Sequence, residues 1–420
     1  VPLPATFAAL RHRNYRWFFA GQFVSLIGSW MQGTAQQWLV VLLASRDGAS
    51  SDANYYLGLA TAVGSLPMLA GALVGGLVAD RLPKRAIILA MQVCQGLLAV
   101  GMAYLVATGR ATLNHVLLFS ALLGLTNVFD IPARQAFVIE MVGKEDLHNA
   151  IGLNSSLFNA SRIVGPAIAG LLIARLGGNG EFDALARCFL VNGLSYIAVI
   201  VGLMAMRGDF SARAVGKESP LVQLREAGRY FRDSRPALLL VTLMAAFSVL
   251  MTADWVLLPS LAHFTLGADA PQFGFLMAVK GAGALVGALT VATLARSPHR
   301  GAVLIAASLL TPALSLCLAL SRSYPLSCVI LLLEGMAVVC FMATANSLQQ
   351  TAVPDALRGR VMGVQAWINM GLTPVGSAWA GALAQRTSAP VAVATGALLM
   401  LAVGGFLALR FPELRRTEPT

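Results

Sequence analysis

A chain of 420 residues that is 57% hydrophobic and only 12% charged has too little polar material to coat a water-facing surface, because soluble domains carry about 25% charged residues. The composition excludes an ordinary soluble enzyme and points to an integral membrane protein. The net charge of +11 does not indicate a nucleic-acid partner, because the bases sit in short clusters between apolar runs, as the positive-inside rule and anionic headgroups explain.

Residues 11–14 (RHRN) are polar and basic, and the apolar run after them is too long for a signal-peptide core, so no cleavable leader is expected. A helix crosses a bilayer with roughly 20 apolar residues. Twelve such spans are predicted, at 15–44, 54–79, 86–108, 113–141, 149–175, 185–207, 236–264, 270–295, 301–320, 325–350, 360–386 and 389–409. They are too long and too uniformly apolar for barrel strands, which alternate over about ten residues. The bases fall mainly in alternate loops. Arg46, Arg110, Arg175, Arg187, Arg322 and Arg386 lie on the other side, and Arg134, Arg162 and Lys280 lie inside spans. This bias predicts a multi-pass protein of the cell (inner) membrane with both termini cytoplasmic.

The first span carries Gln22, Gln32, Gln36, Gln37 and Trp38. The turn after the second reads "GGLVADRLPKR" (75–85) and places Asp80, Arg81, Lys84 and Arg85 in an otherwise oily stretch. Asp80 can accept from the start of a neighbouring helix, and Arg81 and Arg85 can pair with acids of nearby loops, so these groups can latch helix ends together. Lys84 is read as setting topology only. Glu140 is expected to join this network through Arg81 or Arg85. In the fourth span Asp130 and Arg134 share a helix face four residues apart, with Pro132 expected to kink the helix between them. Arg162 of the fifth span lies at comparable depth and can reach Asp130. These three form an expected gate network, with Asp130 a further proton-binding candidate.

The segment 208–235 contains "SPLVQLREAGRYFRDSRP". Leu221, Leu224, Tyr230 and Phe231 fall on one face of a short helix, with bases opposite, which predicts an interfacial amphipathic helix. In the second half, Asp254, Lys280 and Glu334 each lie about ten residues from a span end, roughly 15 Å deep. Charges at that depth cost several kcal/mol and need a function. A lysine between two acids can release one of them to take a proton, so the three are proton-coupling candidates.

The halves also match each other. Ile151-Gly152 aligns with Met362-Gly363, Gly165 with Gly376, and Ala169-Gly170 with Ala380-Gly381, all at one offset. Duplication of a six-helix unit is a transporter signature. The expected fold class is all-α integral membrane, with twelve transmembrane helices in two pseudo-symmetric six-helix bundles. The expected domains are 1–207 and 236–420, joined by a linker at 208–235. The five cysteines form no CxxC pair and read as buried hydrophobes. No phosphate-binding loop and no His/Cys cluster is present in the sequence, so no cofactor, metal or enzymatic chemistry is expected.

The stretch 75–85 resembles the loop signature of the major facilitator superfamily, with Gly76, Asp80, Arg81, Lys84 and Arg85 at matching positions. "GPAIAG" (165–170) is similar to the core of the antiporter motif of drug exporters through Gly165, Pro166 and Gly170. "LRHRNYRWFFAGQFVSLIGSWMQGTAQQWLV" (10–40), "FDIPARQAFVIEMV" (129–142), "NASRIVGPAIAG" (159–170) and "VPDALRGRVMG" (353–363) resemble the drug and siderophore exporter branch that holds the enterobactin exporter and macrolide efflux proteins. The resemblance implies the major facilitator fold and a cavity lined by spans one, four, seven and ten. Gln36, Met251, Trp255, Phe341 and Met342 are its candidate lining. It implies a secondary transporter in the lipid bilayer that exports an amphipathic small molecule in exchange for protons; a monomer is expected, since nothing in the sequence favours an oligomer. An importer or a lipid or lysolipid transporter is the alternative.

Overall fold

The computed structural model describes residues 5–46, 50–176, 180–208, 210, 220–294 and 300–411. In lipid every backbone polar group must be satisfied within its own segment, and an apolar chain does this by forming helices. Among the described residues there is no strand. A short 3-10 helix (Ala5–Arg11) leads into α1 (Arg13–Arg46), α2 (Ser50–Arg81), α3 (Lys84–Ala107), α4 (Leu113–Val142), α5 (Leu147–Leu176) and α6 (Glu181–Met204). The connecting helix is α7 (Pro220–Asp233). Then come α8 (Arg235–Leu250), α9 (Thr252–Ser260), a π-turn (Leu261–Thr265), α10 (Ala270–Thr293), α11 (Arg300–Leu320), α12 (Tyr324–Ala352), α13 (Asp355–Gly371), α14 (Thr373–Arg386) and α15 (Ala389–Arg410).

Each expected span coincides with one helix or with consecutive helices. Nine are long and apolar enough to cross a membrane among the described residues, and α2 makes a tenth when its bent parts are taken together. Three expected spans are diluted or broken. The four glutamines of α1 lower its hydropathy, and the eleventh span breaks at Leu372 between α13 and α14. The seventh span also breaks, at Met251, and this places Asp254 in the first turn of α9.

The chain packs as two compact units. One comprises Val1–Val40, Leu66–Gly216 and Ala270–Ala278; the other comprises Val41–Ser65, Lys217–Asp269 and Val279–Thr420. In the first, α3 packs along α6 and α4. A core of Tyr15, Phe18, Ile88, Phe137, Met141 and Leu203 ties α1, α3, α4 and α6 together, with Phe18 and Phe137 meeting edge to face. In the second unit, α11 packs along α12 and α15, and Phe247 stacks on Phe341 at 4.3 Å between ring centres.

Backbone-to-backbone approach recurs in both units. A Cβ at Gly75 would lie 1.9 Å from the Val128 carbonyl oxygen. That carbonyl is four residues before Pro132, whose missing N–H frees it from the helix ladder. Helix α4 runs continuously from Leu113 to Val142 through Pro132, with the α2 backbone packed against the freed carbonyl. In the second unit a Cβ at Gly283 would meet the Leu332 carbonyl oxygen at 1.9 Å, and one at Gly335 would meet that of Lys280 at 2.0 Å.

The helix α7 does not lie free at an interface. Ala227 and Phe231 are buried against Ala237, Val241, Val353 and Val361. The Tyr230 hydroxyl donates to the Ala352 carbonyl at 3.1 Å, and Arg360 pairs with Glu226. The visible apolar face is taken up by protein rather than left for lipid. Residues 211–219 of the linker and the side chains of Leu221 and Leu224 lie outside the described residues.

Candidate functional site

The three deep charges of the second half meet in one cluster. Asp254 comes from α9, Lys280 from α10 and Glu334 from α12. Lys280 Nζ contacts Asp254 Oδ2 and lies 3.2 Å from Glu334 Oε2. Ser315 of α11 donates to Glu334 Oε1. Asp254 and Lys280 are each 4% exposed and Glu334 is 0% exposed. The local sequence explains the convergence. The break at Met251 turns Asp254 into the N-terminal turn of α9, where a negative charge faces free N–H groups. Gly283 and Gly335 remove the side chains that would hold α10 and α12 apart.

The cluster holds two carboxylates and one ammonium. In apolar surroundings an unbalanced charge is costly, and a single proton on either acid neutralises the set. Asp254 Oδ1 is buried with no hydrogen-bond partner among the described residues, so this oxygen has an open acceptor position. Chemically, Lys280 can stay on one acid while the other takes a proton.

Asp130 is also buried. Arg134 donates to its Oδ2 at 2.5 Å, and Gln92 of α3 donates to Oδ1 at 3.3 Å. Gln92 also reaches Gln95 at 3.3 Å, and Gln95 donates to Thr126 at 3.1 Å and Asn127 at 3.2 Å. A polar chain thus runs through the interior of the first unit. Arg162 is not part of it, since its guanidinium lies over the Trp30 ring at 5.9 Å.

The loop network differs from the expected one. Glu140 pairs with Lys84 at 2.8 Å rather than with Arg81 or Arg85. Lys84 is the first residue of α3, and its buried stem leads the ammonium to α4. It is therefore more than a topology marker. Arg85 instead donates to the Met204 carbonyl at 3.4 Å and sits over Phe210 at 5.6 Å. Asp80 and Arg81 end α2 and are exposed. Gly76 has open space at its Cβ position, and the neighbouring Gly75 makes the close approach. Lys84→Met is expected to cost roughly 1 kcal/mol, because Glu140 stays 24% exposed and water screens its lost partner. Arg81→Gln should leave the thermal midpoint unchanged. Melting of the purified protein in detergent checks both, and equal losses would refute the pairing.

The motif glycines of α5 serve close contacts on two sides. A Cβ at Gly165 would strike Trp30 Cβ of α1 at 2.5 Å, and one at Gly170 would meet the Pro271 carbonyl oxygen of α10 at 2.9 Å. A Cβ on Gly274 would in turn lie 2.9 Å from the Pro166 carbonyl oxygen.

Among the expected cavity residues, Gln36 donates to Ser120 at 2.9 Å. Trp255 and Met342 are half-buried. Met251 and Phe341 are buried in the core of the second unit with Phe247 and Met244. Composition identified them as apolar but did not say which way they face. A large apolar groove of about 720 Å³ lies elsewhere, along α3 and α4, between Met91, Leu97, Leu118, Leu122 and Phe129. It includes none of the expected cavity residues.

The residue patterns and the helix set converge on a transporter. The family profile of transmembrane secretion effectors matches residues 4–419. The chain belongs to this family. It is 27% identical over 389 residues to the multidrug efflux pump Tap of Mycolicibacterium fortuitum, covering 91% of each chain. It is 26% identical over 410 residues to the enterobactin exporter EntS of Escherichia coli, covering 97% of this chain and 94% of that one. A solved transporter of the POT family superposes with a TM-score of 0.73 at 10% identity, over 97% of both chains. That likeness shows the major facilitator fold. This transmembrane secretion effector is therefore a multi-pass membrane transporter and not an enzyme.

Proposed function

We propose that this transmembrane secretion effector is a proton-coupled exporter of amphipathic small molecules, drugs or siderophores, in the inner membrane. The observation that carries the coupling is the buried cluster of Asp254, Lys280 and Glu334, with two acids on one base at the end of a broken helix. The relatives Tap and EntS, named for drug efflux and enterobactin export, support the substrate class and direction.

In this reading a proton binds one acid of the cluster, and Lys280 settles on the other. Loss of that proton returns Lys280 to both. The change in pairing moves α9 relative to α10 and α12, and so biases which face of the membrane the substrate path opens to. The two six-helix halves, 1–207 and 236–420, would exchange access across the bilayer, with both termini cytoplasmic. Asp130, with Arg134 and Gln92, serves as a buried gate network of the first half.

Proteoliposomes with an imposed pH gradient test this reading. A panel of cationic drugs, macrolides and catecholate siderophores is expected to contain a compound whose transport follows the gradient and collapses with a protonophore. Asp254→Asn and Glu334→Gln should uncouple it, whereas Asp130→Asn should slow it without uncoupling. Transport that ignores the pH gradient, or that survives intact in both acid variants, would rule the mechanism out.

A further inference from the structure

The second unit also holds a polar pocket of about 360 Å³, whose lining includes none of Asp254, Lys280 and Glu334. Asn54, Ser260, Phe264, Arg322, Thr387 and Ser388 line it. Each comes from a segment beside a base-poor loop. Asn54 is in the first turns of α2, Phe264 ends the seventh span, Arg322 joins α11 to α12, and Thr387 and Ser388 join α14 to α15. On the expected topology this face is extracytoplasmic.

Three features give the pocket a chemistry. First, its floor is already ordered. The Ser260 hydroxyl donates to Asn54 Oδ1 at 2.5 Å, and Asn54 Nδ2 donates to the Ala384 carbonyl at 3.3 Å, with both side chains buried. Second, Arg322 is the one charged residue in the lining, and no acid accompanies it. Its Nη1 donates to the carbonyls of Ser321 at 3.0 Å and Ala319 at 3.4 Å. Nε and Nη2 have no protein partner among the described residues, so a planar two-donor edge is held in place by the backbone and left open. That edge is the geometry that takes a carboxylate by two parallel hydrogen bonds. Third, the exposed ring of Phe264 with Ala389 and Pro390 forms an apolar wall beside the guanidinium. Ser388 caps α15 by accepting from the Val391 N–H at 3.4 Å, which leaves its hydroxyl proton to donate.

We propose that this pocket binds a small carboxylate with an aromatic or apolar body, captured from the side opposite the base-rich loops. Arg322 takes the carboxylate, Ser388 adds a hydrogen bond, and Phe264 covers the ring. The volume is near the lower limit of ligand pockets, which restricts the body to about one ring. The occupant would touch α2, the seventh span and both helices that flank Ser388. The site does not depend on proton coupling or on the exported substrate.

Calorimetric titration of the full-length protein in nanodiscs with benzoate, and with its neutral isostere benzamide, tests the proposal. Benzoate is expected to bind, and benzamide to bind about tenfold more weakly or not at all. Arg322→Gln should reduce benzoate affinity to the benzamide level, and Phe264→Leu should weaken both probes. Arg110→Gln, on another base-poor loop outside the pocket, should leave benzoate unchanged. Should Arg322→Gln fail to fold, Phe264→Leu and the benzoate-to-benzamide ratio still decide the matter. Equal binding of the two probes, wild-type benzoate affinity in Arg322→Gln, or no heat with millimolar benzoate would each overturn the assignment.

Discussion

Lys280→Met is expected to be among the most damaging single changes in this transmembrane secretion effector. Lys280 is the shared partner of two acids that are 4% and 0% exposed. Removing the ammonium leaves both carboxylates in an apolar interior. Breaking a buried pair in this way costs about 3–5 kcal/mol, against a total stability of about 5–15 kcal/mol for a typical domain. The variant should give little monodisperse protein in detergent, and what survives should melt far below wild type. Adding Asp254→Asn and Glu334→Gln to Lys280→Met removes the orphaned charges. The triple variant should recover folding without recovering transport. Size-exclusion yield and thermal melting read the first effect, and proteoliposome flux reads the second. Wild-type yield for Lys280→Met alone would mean that the cluster is not a closed, buried set.

Gly335→Val is expected to disturb the same cluster without touching a charge. Its Cβ would sit 2.0 Å from the Lys280 carbonyl oxygen and 3.1 Å from the Ala284 nitrogen. Both are backbone atoms, so no flexible side chain can yield, and α10 must move away from α12. Overpacking of this kind costs about 1–3 kcal/mol. The 3.2 Å contact between Lys280 and Glu334 should lengthen with the helices. Transport should fall more than stability alone explains, since the displaced ion pair is the element that the proposed coupling uses. Gly76→Ala is the control, because a Cβ there meets nothing within 4 Å, and alanine should stabilise α2 by about 0.5–1 kcal/mol. If Gly335→Val transports as Gly76→Ala does, the close approach of α10 and α12 is not what sets the cluster.

The features legible in the sequence were those whose cost stands out in an oily chain. A charge 15 or so ångströms into a span is conspicuous on energetic grounds, and Asp254, Lys280 and Glu334 could be picked out from depth alone. Their meeting in space was suggested by equal depth on three helices. Ser315, which completes the shell of Glu334, gave no signal, because a lone serine in a span is cheap and usually bonds its own helix. Gln92 and Gln95 were not singled out in the sequence; two carboxamides one turn apart on an apolar span were the available cue, and their link to Asp130 is visible only in the fold.

Where the sequence reading and the structure part, helix rotation is the reason. One residue along a helix turns a side chain by about 100°, which separates Gly75 at a carbonyl from Gly76 in open space. The same rotation decides that Lys84, and not Arg81 or Arg85, reaches Glu140. It also turns Phe341 into the core, against Phe247, although Met342 beside it stays half-buried. The major facilitator signature located the loop, and its contacts depended on the faces that packing chose.

The most direct test of the account is a count of protons released when substrate binds. Wild-type protein in weakly buffered detergent solution, titrated with a transported macrolide or siderophore, is followed with a pH dye. Because linkage is reciprocal, a substrate that competes with the proton must displace it. The account predicts about one proton released per molecule of wild type, and none from Asp254→Asn or Glu334→Gln that still bind the compound. Full proton release from both variants would contradict it, and would place the coupling outside the Asp254–Lys280–Glu334 cluster.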